Sequence, residues 1–256
     1  MKIKPVKNYN KPGYPTREDF LSGSSYLMNF ITRFLSTILF LVFITISLYG
    51  QSSSKTIKLW NGKDYSGWEL ITSSAAVIDS VCTINSDSVI AVAGKPNGYL
   101  ETLNSYENYK LHLEYKWPKD AAKNSNSGVL IHIASGPIDR NTWPLCFQIQ
   151  TKITRAGDLL PMAGANFAEP LSTVPEAKMP LLERQKPDSE KPVGEWNIVE
   201  IICRDSSIEC SINGTVQNHV TNCEPHAGKI GIQLEGVPFE LRNIWLTQHN
   251  YNDHDK

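Results

Sequence analysis

Between residues 110 and 117 the chain reads KLHLEYKW, in which Leu111, Leu113, Tyr115 and Trp117 alternate with Lys110, His112, Glu114 and Lys116. A period of two gathers all four apolar side chains on one side only if the backbone is extended, so this segment is a half-buried strand. The same alternation returns in GVLIHI (128–133), where Val129, Ile131 and Ile133 oppose Leu130 and His132. It returns again in CFQIQ (146–150), where Phe147 and Ile149 oppose Cys146, Gln148 and Gln150. WNIVEIICR (196–204) and IECSING (208–214) form a hairpin about Asp205, Ser206 and Ser207, and Asn213-Gly214 supplies a second reversal toward TVQNHV. Near the end, KIGIQLEG (229–236) sets Ile230, Ile232 and Leu234 against Gly231, Gln233 and Glu235. PFELRNIWL (238–246) carries apolar groups on both sides, so its inward face is ambiguous.

No strong amphipathic helical pattern competes with these strands. Residues 152–195 are rich in Pro, Gly, Ala and charge without a sustained period and read as long loops, the usual carriers of a site. With 256 residues, 41% of them hydrophobic, the chain can bury a full core. Many alternating strands and no fixed repeat favour one antiparallel β-sandwich of jelly-roll type spanning residues 56–248. An immunoglobulin-like sandwich is the competitor, and the pattern is also compatible with closure into a barrel.

The sequence before this domain has a different character. Phe34 to Gly50 is a 17-residue apolar tract with only Ser and Thr as polar interruptions, slightly short for a spanning helix. Read from Met28, with Arg33 as a positive flank and Gly50, Gln51 and Ser52 following, it is a signal peptide over 28–50. Residues 1–27 are then an extension ahead of the true start, 51–55 a short linker and 249–256 a polar tail. The expected location is periplasmic or extracellular, with no stable membrane insertion after cleavage; an N-terminal membrane anchor is the alternative. Six Lys/Arg against two acids in residues 1–50 leave 19 basic and 24 acidic residues from Gln51 onward, which excludes nucleic acid as the expected partner. The five cysteines, at 82, 146, 203, 210 and 223, are too few for a disulfide scaffold and form no CxxC zinc motif. Cys203 and Cys210 either face one another across the hairpin or are buried thiols.

If the strands share a sheet, His112, Glu114, His132, Gln148, Gln150, Gln233 and Glu235 line one polar face, able to meet the donors and acceptors of a sugar while Trp143 or Trp196 walls the groove. The plainer alternative is a solvated sheet face. Glu114 and Glu235 are the acidic candidates for proton transfer, and His132 is the candidate base or metal ligand. Asp158 follows a glycine in TRAGDLL, a setting suited to a ligand or a turn, and Arg155 suits an anion or a local pair. No GxxxxGK(S/T), HExxH or GxSxG motif supports a P-loop enzyme, a zincin or an α/β-hydrolase.

Several ordered motifs resemble the 3-keto-disaccharide hydrolase family: TIKLWNGKDYSGWEL at 56–70, YENYKLHLEYKW, NSGVLIH at 126–132, WPLCFQIQ at 143–150, AGDLL at 156–160, GEWNIVEI at 194–201, SINGTV, and GKIGIQLEGVPFELRNIWL. The resemblance implies a concanavalin A-like lectin/glucanase sandwich and an exported enzyme cleaving glycosides oxidised at C3. A C3 ketone acidifies the neighbouring C2 proton, so a base can remove it and eliminate the C1 substituent, with water adding afterwards. Carried over by motif, Glu114, His132 and Glu235 become the proton-transfer candidates, with His132 and Glu114 the candidate ligands of a divalent metal. Gln148, Gln150 and Asp158 are carried over likewise as substrate contacts; Gln233, Trp143, Arg155 and Arg242 join them from the residue pattern, Arg242 also as the holder of an acidic partner. The family motif more typically has Glu at position 148; Gln148 cannot ionise, which keeps a noncatalytic carbohydrate-binding module as the alternative.

Overall fold

The structure is a computed structural model that describes residue 13 and residues 32–36, 54–139, 142–174 and 177–249. The chain divides into two units, Met1–Ser52 and Ser53–Lys256. Of the first unit, residues 32–36 are helical; the rest of the expected signal segment lies outside the described residues, as do most of the extension before it and the tail from 250. Among the described residues no helix is long and apolar enough to cross a membrane.

The described residues of the second unit form fourteen strands: β1 (Ser54–Lys58), β2 (Trp68–Thr72), β3 (Cys82–Ile84), β4 (Ile90–Val92), β5 (Gly98–Thr102), β6 (Tyr109–Lys116), β7 (Gly128–Asp139), β8 (Trp143–Gln150), β9 (Leu159–Met162), β10 (Asn197–Arg204), β11 (Ser207–Ile212), β12 (Thr215–Val220), β13 (Lys229–Leu234) and β14 (Phe239–His249). One helical turn, Ile78–Val81, precedes β3. An eight-stranded sheet runs β12-β11-β10-β6-β14-β4-β3 with β1 also paired to β14, and a six-stranded sheet runs β2-β5-β13-β7-β8-β9. Every described pairing is antiparallel.

The core lies between the two sheets, where alternation places it. Leu111, Leu113 and Tyr115 of β6 and Val199, Ile201 and Cys203 of β10 meet Val129 and Ile131 of β7, Phe147 and Ile149 of β8, and Ile232 and Leu234 of β13. Each such side chain contributes about 1.5–3 kcal/mol on burial. The two hairpins read from the sequence form as β10-β11 and β11-β12, the second turning on Asn213 and Gly214, both at positive φ. The 152–195 segment is not loop throughout: Leu159–Met162 pairs with β8, and Leu182 exchanges two backbone hydrogen bonds with Leu159 along the outer edge of β9. Its four residues and Pro161 gave too little pattern to mark a strand.

The ambiguity of 238–246 has a local cause. The β14-β6 register shifts between Arg242 and Trp245, and Asn243 in the bulge adopts φ 53°. Phe239 and Leu241 point inward before the bulge, and Ile244 and Leu246 after it. All five cysteines are free and buried; Cys203 pairs in register with Ile208, not Cys210.

Candidate active site

On the six-stranded sheet, the residues that alternate with the core side chains point to the face turned away from the eight-stranded sheet. Tyr99, Leu130, Cys146, Leu160 and Met162 form a second apolar cluster there, joined by Ile133 and Trp143. Beside it lie three buried amides, Gln148 and Gln150 of β8 and Gln233 of β13. Gln148 Nε2 donates to Gln150 Oε1 and, at 2.9 Å, to Gln233 Oε1. Both its protons are thereby used, while its own Oε1 is buried with no partner. Because Gln150 and Gln233 turn their oxygens toward Gln148, their Nε2 groups remain as donors for a ligand.

Gly128 makes this arrangement possible. It is the register partner of Gln150, and a Cβ there would lie 2.7 Å from Gln148 Cγ and 2.8 Å from Gln148 Nε2. The bare backbone lets Gln148 lean across β7 to reach β13. Glu235, two residues beyond Gln233 and just past the end of β13, accepts a hydrogen bond from Asn126 Nδ2. Asn126 Oδ1 is a second buried acceptor without a partner. Ser127 Oγ donates to the Gln233 carbonyl at 2.7 Å and fixes the strand between them. Asn126 and Gly128 belong to the NSG segment, but nothing in the sequence showed that they shape the amide cluster.

Asp158 is buried at the turn leading into β9. Its Oδ2 accepts from Arg155 Nε at 2.5 Å and its Oδ1 from the Arg184 backbone N–H at 2.9 Å. Arg155 also reaches Glu183 at 3.0 Å. These two candidates therefore serve one another and anchor the 182–184 strap at the site's edge. The guanidinium pKa of Arg155 is raised: burial opposes its charge, but its two carboxylate partners outweigh that. Farther along the same face is a group that periodicity did not mark, Lys229 bridging Glu69 and Glu101 at 2.6 Å each. Burial pushes the Glu101 carboxyl up, while Glu69, hydrogen-bonded to Lys229, is held down.

Several sequence candidates are elsewhere, and the single polar face expected from them does not form: His112 lies on β6 of the eight-stranded sheet, stacked on Trp245, and Trp196 lies against Arg242. His132 sits where the β7-β8 register shifts between Ile131 and Ser135, with φ 54°. This bulge reverses the alternation, so its ring enters the sandwich core against Tyr109 and Phe147, with centroids at 5.9 and 6.3 Å, while Ile133 goes to the outer face. Burial drops its pKa to about 4, leaving it neutral, with Nδ1 3.1 Å from the Pro225 carbonyl. Glu114 is on β6, in the other sheet, facing outward. Arg242 Nε donates to it at 2.7 Å and Asn243 Nδ2 at 2.6 Å. Burial opposes ionisation, but those hydrogen bonds win and hold Glu114 below the usual carboxylate range. Arg242 thus holds an acidic partner, on the opposite sheet from the amides.

His132 and Glu114 do not fit as ligands of one metal ion, since one points into the core and the other to the outer face of the eight-stranded sheet. Among the described residues no group of three His, Cys, Asp or Glu side chains is placed to hold one.

The chain matches the model of the 3-keto-alpha-glucoside-1,2-lyase-like domain over residues 55–247. No protein of curated function matches it. Among solved structures, a putative glycosyl hydrolase from Parabacteroides distasonis aligns with TM-score 0.56 and 18% identity, covering 76% of this chain and 94% of that one. A second putative glycosyl hydrolase structure from the same organism aligns with TM-score 0.53 and 18% identity, over 76% and 99%. These likenesses show the jelly-roll sandwich fold, and the domain match supports lyase-type chemistry on 3-keto-glycosides for this region. The chain belongs to the 3-keto-alpha-glucoside-1,2-lyase-like family.

Proposed function

We propose that this protein is exported and binds the sugar ring of a 3-keto-glycoside on the Gln148, Gln150 and Gln233 cluster, with Glu235 as the proton-transfer group. The carrying observation is the pair of buried, unpartnered acceptors, Gln148 Oε1 and Asn126 Oδ1, beside amides with donors to spare. Leaving a buried polar atom unpaired costs about 1–3 kcal/mol. Sugar hydroxyls, which donate and accept, relieve that cost and fix the ring over the sheet.

In the reaction, the Glu235 carboxylate takes the C2 proton, and the C–H electron pair moves into an enolate whose oxygen is the former C3 ketone. Amide N–H groups of Gln150 and Gln233 are suited to hold that oxygen as charge develops. The enolate re-forms the ketone as the C1–O bond breaks, leaving a C1–C2 double bond and an aglycone oxygen that takes up a proton. Water then adds at C1 to give the free 3-keto sugar. Gln148 orients and cannot transfer the proton. Export rests on the apolar 34–50 tract with its positive flank and polar exit.

The test is to incubate the mature domain with paired glucosides and their 3-keto forms, with and without divalent metals, and to detect aglycone and enone by mass spectrometry. Cleavage restricted to the keto forms is expected. Sugar binding without product from any keto form would overturn the reading in favour of a binding module.

A further inference from the structure

A cavity of about 350 Å³ opens beside β9, walled by Leu160 and Met162 on the strand and by Leu171, Met179 and Pro180 from the chain that follows it. Leu160 is the register partner of Gln148, and Met162 that of Cys146, so the cavity begins one strand from the amide cluster. Adjacent strands are about 4.8 Å apart, roughly the distance from a sugar ring to its C1 substituent's body. The volume falls in the range of small-molecule pockets. Of its lining side chains, only Asp139 and Lys178 are polar.

We infer that this cavity is the leaving-group subsite and that it takes an aromatic aglycone rather than a second sugar; the inference rests on the function proposed above. A second sugar would bring several hydroxyls to a wall of Leu, Met and Pro side chains and strand most of them. A flat ring instead buries its faces against two thioethers, Met162 and Met179, which adapt to it and make favourable sulfur–aromatic contacts. The chemistry agrees: a phenol, with pKa about 10, leaves C1 with less help from an acid than an alkyl alcohol does. Nothing near the cavity then has to match the strong acid assistance that a sugar leaving group demands.

The experiment measures kcat/KM of the full mature chain on 3-keto methyl glucoside and 3-keto 2-naphthyl glucoside, for the unsubstituted protein, Leu171→Trp and Met179→Ala. Leaving-group reactivity cancels when each substrate is compared between proteins. Leu171→Trp, which fills the cavity from a partly exposed position, should lower the naphthyl value about tenfold and the methyl value less than about twofold. Met179→Ala, at a position 38% exposed, should lower the naphthyl value alone, about threefold. Equal losses on both substrates, or none on either, would overturn the subsite. Binding of free 2-naphthol, followed by its fluorescence, keeps the two ideas separable. If the protein cleaves neither keto-glucoside, the proposed function fails, yet naphthol binding abolished by Leu171→Trp would still support the cavity; no naphthol binding overturns it.

Discussion

On the outer face of the eight-stranded sheet, Lys110 meets Glu200 at 2.7 Å, Lys116 meets Glu240 at 2.5 Å and Arg242 meets Glu114 at 2.6 Å. On the outer face of the six-stranded sheet, Gln148, Gln150 and Gln233 meet chiefly one another, and an acceptor is left over. Both faces carry polar groups on strands of an antiparallel sheet. The charged ladder answers each of these charges locally, even stacking Arg242 4.0 Å from the Trp196 ring centroid. The amide face does not close its own account of donors and acceptors, and an incomplete set is what a hydroxyl-rich ligand can complete.

The sharpest way to break this contrast is to neutralise one carboxylate on each face. Glu235→Gln should cut kcat on a 3-keto-glucoside about 10²- to 10⁴-fold, as for loss of a positioned proton-transfer group, whereas Glu114→Gln should change it less than about threefold. Comparable losses would mean that the two faces had been assigned the wrong way round.

His132 lies between the faces and tests the core alone. Its folded pKa, about 4, is below the unfolded value of 6.5, so the unfolded chain binds more protons in that window. The stability this neutral ring lends is complete above pH 6.5 and lost as pH falls toward 4. The stability gap between the native chain and His132→Phe should therefore shift by about 3 kcal/mol against the native chain from pH 7 to pH 4, measured by denaturant unfolding. Gly128→Ala should next push Gln148 off Gln233 and reduce kcat/KM about tenfold with the melting temperature nearly kept. The smallest effect belongs to the charged ladder. Arg242→Ala should cost about 1 kcal/mol of stability, given the partial exposure of the pair, and leave turnover unchanged. Because the Glu114 carboxyl is held low in the fold, that cost should be present above the usual carboxylate range and fade as acid protonates it.

These contrasts also show how far the sequence could be read. Alternation placed Leu111 or Phe147 in the core and Gln148, Gln150 and Gln233 on one face, because their strands are regular where those residues stand, whereas Glu235 lies just past the end of β13, outside that rule. It failed for His132 and left 238–246 ambiguous, in both places at a bulge where a non-glycine residue at positive φ reverses the sides. It failed for Glu114 for another reason. Which strands share a sheet is decided by pairing across the whole chain: β6 joins β10 and β14, over 80 and 120 residues away, and its own alternation holds no trace of that choice. The Lys229 bridge to Glu69 and Glu101 escaped notice likewise, being assembled from three distant strands.

The primary amides that floor the site carry no ionic charge. On the function proposed above, their grip on an uncharged sugar ring is therefore not weakened by a surrounding cloud of counterions, as the grip of an arginine or a carboxylate on a charged partner would be. A floor of this kind works alike in fresh water and in brine, and it holds its shape through a swing of pH that would strip or load the protons of an acidic one.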